Sequence, residues 1–168
     1  SRMTLLVRRS LLLLGLAALR ARPLQMRLSR TQDGKFLKRL RHAPTTHSVD
    51  RILGEIRRSP ATVDQQQKHF EAAIVTASHV GTAKDPLRLL TAMRRELGRP
   101  PARTFTYTQV LRSCARGREW EAALRVLRAM APPCAPDRYA CNAALDACAK
   151  AGLEPAKTHD LSTVRMMT

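Results

Sequence analysis

The stretch TYTQVLRSCARG, Thr106 to Gly117, is written again as ACNAALDACAKAG, Ala140 to Gly152. Tyr107 falls on Cys141, Thr108 on Asn142, Leu111 on Leu145, Cys114 on Cys148 and Ala115 on Ala149, each pair 34 positions apart. Between the copies lies WEAALRVLRAM, closed by Ala135-Pro136-Asp137. A period of this length signals stacked supersecondary units rather than one globular core. Each unit leaves an apolar face that only its neighbours can bury.

Each unit reads as two helices. Val110, Leu111 and Cys114 recur at helical spacing, as do Leu145 and Cys148 one period later. Gly117 and Gly152 stand where a helix needs a left-handed exit residue. In the second helix Trp120, Ala123, Leu124, Leu127 and Met130 form one stripe. Glu119 and Glu121 in its first turn, and Arg125 and Arg128 later, match the helix macrodipole. Pro132, Pro133 and Pro136 end it, and Asp137 is placed to cap the next helix.

Fainter copies lie upstream. Phe70, Ala73, Ile74 and Ala77 make a helical stripe ending near Gly81. Asp85-Pro86 predicts an N-cap and first helical position, Leu90, Met93 and Leu97 continue the stripe, and Gly98 closes it. Val49, Ile52, Leu53 and Ile56 mark one more amphipathic helix. No strand-like alternation competes, and aromatic residues make up only 4% of the chain, which favours helix over strand. The expected fold is all-α: an α-solenoid of helix–turn–helix repeats from about Thr62, behind a basic, disordered or loosely helical N-terminus. The expected segments are 1–45 (targeting), 46–103 (degenerate helical repeats), 104–137 (one clear repeat) and 138–168 (a partial repeat with a divergent tail).

Two helix-pair families share this period. Tetratricopeptide repeats want Trp and Leu-Gly early in the first helix, whereas Trp120 opens a second helix. The arrangement instead resembles pentatricopeptide (PPR) repeats. Tyr107-Thr108, Cys114-Ala115, Ala123-Leu124, Met130 and Pro136-Asp137 fit that pattern, as do Cys141-Asn142, Cys148-Ala149 and Gly152. The resemblance covers about 50 residues well, the preceding 36 weakly, and nothing before Val49. From Leu153 onward LEPAKTHDLSTVRMMT does not align. Two to three units are few for a repeat array, so a longer protein around this chain is one expectation.

The resemblance implies sequence-selective binding of single-stranded RNA in organelle RNA metabolism: processing, stability or translation. It implies base reading by Thr108, Asn142 and the repeat-ending Asp137, with Phe105 and Tyr139 stacking on the bases. It further implies that Thr108 with Asp137 prefers guanine, whereas Asn in place of Thr108 would prefer uracil. Upstream, the alignment sets Ala72 opposite Arg103, and Ala offers nothing to a base edge. Unstacked RNA bases do present both an edge and a face. The competing readings are that Thr108 and Asn142 are plain surface residues, that Asp137 is only an N-cap, and that the groove is a protein–protein adaptor.

Charge fits a polyanionic partner. The chain has 30 basic and 13 acidic side chains, net +17. Residues 1–60 hold 14 of the basic and three of the acidic groups, so most of the excess lies ahead of the clear repeat. Such a surface attracts phosphates without sequence preference, or is simply solvated. Before Asp33 there is no acid but seven arginines, Arg2, Arg8, Arg9, Arg20, Arg22, Arg27 and Arg30, around the run LLLLGLAAL. This reads as an organelle address, chloroplast or mitochondrion with the plastid preferred, or as a secretory or twin-arginine signal. The run is shorter than the ~20 residues that span a bilayer, so no stable membrane insertion is expected.

Cys134-x6-Cys141-x6-Cys148 lacks the paired spacing of a zinc site, and Cys114 and Cys148 sit at equivalent core positions. His42, His47, His69, His79 and His159 have no catalytic neighbours in sequence, and no Gly-rich phosphate loop appears. Neither an enzyme nor a metal or cofactor is expected.

Overall fold

The structure, a computed structural model, describes residues 32–132 and 134–152. All regular structure among them is helical. Residues 32–41 form α1. Then come α2 (Thr46–Arg58), α3 (Val63–Val80), α4 (Lys84–Leu97), α5 (Thr104–Gly117), α6 (Trp120–Arg128) and α7 (Arg138–Lys150). None of the described helices is long and apolar enough to cross a membrane. Residues 1–31, on which the address reading rests, and the divergent tail from 153 lie outside the described residues.

Local chemistry sets most helix ends. Thr45 caps α2, its side chain accepting from Ser48 N. Thr62 and Gln65 form a reciprocal capping box on α3: Thr62 N donates to Gln65 Oε1 at 2.8 Å and Gln65 N to Thr62 Oγ1 at 3.3 Å. Gly98 leaves α4 with φ +63°. Two expectations shift. Asp85 is not the N-cap of α4; the helix starts at Lys84, and Asp85 reaches back to accept from Thr82 N and Thr82 Oγ1, each at 2.8 Å. The left-handed residue after α5 is Arg118 (φ 57°), not Gly117. Glu119 N bonds Cys114 O at 2.9 Å, the six-to-one bond of a Schellman ending. Gly117 is still the last residue of α5, and a Cβ there would lie 3.1 Å from Ala83 Cβ. What is special at Gly117 is its close approach to α4's start, not backbone handedness.

The periodic apolar residues are the buried ones. Val49, Ile52, Leu53 and Ile56 face inward on α2, and Phe70, Ala73, Ile74 and Ala77 on α3. Consecutive helices pack as partners: α2 on α3, α3 on α4, α5 on α6 and α6 on α7. Odd-numbered helices also touch one another. α3 lies on α5, and α5 lies on α7 in the most extensive contact of the fold. The result is a helical repeat-like fold in which one core cluster runs from Leu40 to Ala147.

The even-numbered helices are tied by side chains. Arg88 pairs with Asp50 and Arg57 with Glu96, joining α2 to α4. Such exposed pairs are worth about 0–1 kcal/mol each, so they set register more than stability. Arg94 donates to Tyr107 Oη and Ala129 O, both at 3.2 Å, linking α4 to α5 and to the end of α6.

The packed body begins earlier than the 1–45 boundary implies. Leu40 on α1 is fully buried. Phe36 meets the His69 ring edge-on at 5.9 Å, and Asp33 bonds Gln65 of α3. Arg39 pairs with Glu55 of α2. The signal was hidden because Phe36 and Leu40 are too few to show a period. Trp120, at the head of the α6 stripe, is only half-buried. Leu145 is 37% exposed although Leu111, one period earlier, is fully buried.

His69 is buried, its Nδ1 has no hydrogen-bond partner, and its Nε2 lies 3.5 Å from Asp33 Oδ1. Burial lowers its pKa below the usual histidine value, with Asp33 opposing that shift. The folded chain therefore holds it neutral at a pH where the unfolded chain takes up a proton. That stability is fully present above about pH 6.5 and declines as pH falls below it. His42, His47 and His79 are exposed. Urea unfolding should show lower stability at pH 5.5 than at 7.5, and His69→Leu should flatten this difference. An identical pH dependence in both proteins would rule out His69 as its source.

Candidate nucleic-acid interface

The first turn of α5 and the first turn of α7 display an aromatic residue that the fold does not bury. Phe105 is 56% exposed and Tyr139 65% exposed. The adjacent positions point the other way: Thr106 and Tyr107 on α5 and Ala140 and Cys141 on α7 are buried. Helical geometry then fixes what accompanies each aromatic. Thr108 and Arg112 follow Phe105 at i+3 and i+7, as Asn142 and Asp146 follow Tyr139.

These residues meet in a cleft of about 580 Å³ between α5 and α7. All five residues singled out by sequence, Phe105, Thr108, Asp137, Tyr139 and Asn142, line it. Thr108 is nearly buried and its hydroxyl donates to Thr104 O at 3.1 Å. Asp137 Oδ1 accepts from Ala140 N at 2.8 Å, so the carboxylate does cap α7. Asn142 is exposed. Capping and lining the cleft are compatible, because a carboxylate has two oxygens and several acceptor positions. Sequence reasoning missed Gln109, Arg112 and Asp146 on the cleft wall, although the i+4 and i+7 spacing carried the signal. It also missed Arg138, whose guanidinium lies 5.4 Å from the Tyr139 ring centroid.

The cleft is mixed in charge, with Arg112 against Asp137 and Asp146. It combines aromatic faces with donors and acceptors, which suits a planar heteroaromatic ring better than a bare anion.

A second cleft of about 250 Å³ lies between α1, α3 and α5. Ala72 and Arg103 both line it, but the residue engaged with Arg103 is Glu71, one position before Ala72. Glu71 is buried, accepts from Ala102 N at 2.6 Å and lies 3.9 Å from Arg103 Nε. The buried faces Phe70, Ala73, Ile74 and Ala77 of α3 and Tyr107, Val110, Leu111 and Cys114 of α5 lie 37 positions apart, so the counterpart of Thr108 on α3 is Glu71, not Ala72.

The thiols are core atoms. Cys114, Cys134, Cys141 and Cys148 are buried and unpaired. Burial pushes the Cys114 thiol up to about 11 and raises those of Cys141 and Cys148. Cys134 donates to Pro101 O at 3.4 Å. Among the described residues no group of three or more His, Cys, Asp or Glu is placed to hold a metal.

Compared with family models, with curated proteins and with solved structures, the chain matches none.

Asp137→Ala should cost about 1 kcal/mol, the usual loss of an N-cap, whereas Asp137→Asn should cost only a few tenths because Asn caps equally well. Thermal or urea unfolding checks this. Equal losses in the two variants would show that the carboxylate stabilises the fold by something other than capping.

Proposed function

We propose that this chain binds single-stranded RNA as a helical repeat protein of the pentatricopeptide type, serving RNA metabolism in an organelle. In this reading α1, α3, α5 and α7 are the inner rungs of an α-solenoid, and α2, α4 and α6 its outer layer. The observation that carries the proposal is the convergence of Phe105, Tyr139, Thr108, Asp137 and Asn142 on one cleft. Nothing in the core requires Phe105 or Tyr139 to be aromatic, since both stay more than half exposed. A base between these rings would lose water from both faces, and its edge would meet Thr108 and Asp137. The excess of basic groups, net +17, adds a salt-dependent attraction that brings the polyanion to the cleft. Base choice then rests on the Thr108–Asp137 pair, with guanine preferred.

Competition binding on short RNAs varied at one position tests this. Phe105→Ala should weaken binding whatever the base, by about 1–3 kcal/mol, on the order of 5- to 150-fold. Thr108→Asn should move preference from guanine toward uracil with little change in overall affinity. An unchanged preference would remove Thr108 as a reader. No RNA affinity at low salt, together with capture of a protein partner, would favour an adaptor that uses the same groove.

The organelle part of the proposal rests on residues 1–31 alone. A fusion of residues 1–45 to a fluorescent reporter should leave the cytosol. A diffuse cytosolic signal would remove the organelle from the proposal.

A further inference from the structure

The two clefts are built on one plan and filled with opposite chemistry. Lys68 and Glu71 stand on α3 where Phe105 and Thr108 stand on α5. Arg103 precedes α5 as Asp137 precedes α7. So where the α5–α7 cleft offers an aromatic face, a hydroxyl and a carboxylate, the α3–α5 cleft offers an ammonium, a carboxylate and a guanidinium. Arg41, from the end of α1, adds a third cation.

The geometry points to the α3–α5 cleft as a phosphate site that seats the RNA backbone beside the base held on Phe105, and not as a second base reader. This rests on the RNA-binding reading above. Glu71 and Thr108 are both buried, but the Glu71 carboxylate accepts from Ala102 N at 2.6 Å with one oxygen and faces Arg103 Nε at 3.9 Å with the other, so both of its oxygens are turned to the chain itself. Thr108 and Asp137 have no such bond to each other among the described residues, each being engaged only with its own helix. Lys68 gives a base no ring to stack on. The cleft has less than half the volume of its neighbour. Its three cations outnumber its one carboxylate, and Arg41, Lys68 and Arg103 are all exposed. Phe105 lines both clefts. A nucleotide stacked on that ring therefore has its sugar–phosphate backbone next to these cations.

Fluorescence anisotropy with the full chain and a short mixed-sequence single-stranded RNA, at several salt concentrations, tests the assignment. Arg41 and Lys68 are exposed, so replacing both leaves the core intact. The Arg41→Ala/Lys68→Ala protein should show a salt slope reduced by about 1.4, from about 0.7 for each lost phosphate contact on a single strand. Base preference at the α5–α7 cleft should not change. Glu71→Gln keeps an acceptor for Ala102 N but removes the opposing charge, and should bind several-fold more tightly at low salt. An unchanged slope in the double variant, or unchanged or weaker binding by Glu71→Gln, overturns the phosphate site. Base preference retained alongside an unchanged slope overturns that site alone. A reduced slope in a chain with no base preference overturns the base-reading cleft and supports the phosphate site. No binding of RNA by the unaltered chain overturns both.

Discussion

Close packing of α5 against α7 is the contact on which the rest of the arrangement depends. The buried face of α7 consists of Ala140, Cys141, Ala143, Ala144, Ala147 and Cys148. Interaxial distance is set by the side chains at the contact, and these are the smallest that still exclude water. Tyr107, on the other side of α5, is fully buried with its hydroxyl held by Arg94 of α4. Arg116 near the end of α5 also reaches Ser78 O at the end of α3. α5 is thereby held on three sides by α3, α6 and α7. Because α5 and α7 lie so close, the residues at the head of each helix share one cleft instead of two separate surfaces.

That proximity gathers aromatic and polar side chains from both helix starts along one cleft. Phe105 and Tyr139 lie one residue before the buried stretch of their helices and so stay in solvent. The cap residues Arg103 and Asp137 lie two residues earlier still, at the mouths of their clefts. One framework thus presents two clefts whose chemistry differs only through the side chains placed on it. In one, Thr108 and Asp137 are bonded only to the backbone of their own helices. In the other Glu71 is engaged by Ala102 N and Arg103.

The helices were legible because burial follows the periodic stripes almost residue by residue: Val49 to Ile56 on α2, Phe70 to Ala77 on α3, Ala123 to Leu127 on α6. The cleft between α5 and α7 was legible for a different reason. A repeat of 34 positions carries every lining residue of one helix onto the next without a gap. Where the spacing changes to 37, between α3 and α5, a constant period sets Ala72 opposite Arg103, while Glu71 beside it makes the contact. α1 was not visible because it docks through a few residues, Asp33, Phe36 and Leu40, that make no long pattern. Glycine preference places the exit from α5 at Gly117, yet the left-handed turn falls on Arg118, and Gly117 instead lies where a Cβ would crowd Ala83. The 34-residue period pairs Leu145 with Leu111, yet Leu111 is fully buried and Leu145 is 37% exposed.

The most direct test of the cleft is NMR of the aromatic rings during titration with a short single-stranded RNA. The chain contains three Phe and two Tyr, so the rings can be assigned individually. Stacked bases should shift the Phe105 and Tyr139 ring signals, while Tyr107, buried on the opposite side of α5, stays in place. RNA binding that leaves the Phe105 and Tyr139 rings unshifted would contradict the account, because the nucleic acid would then lie elsewhere on the molecule.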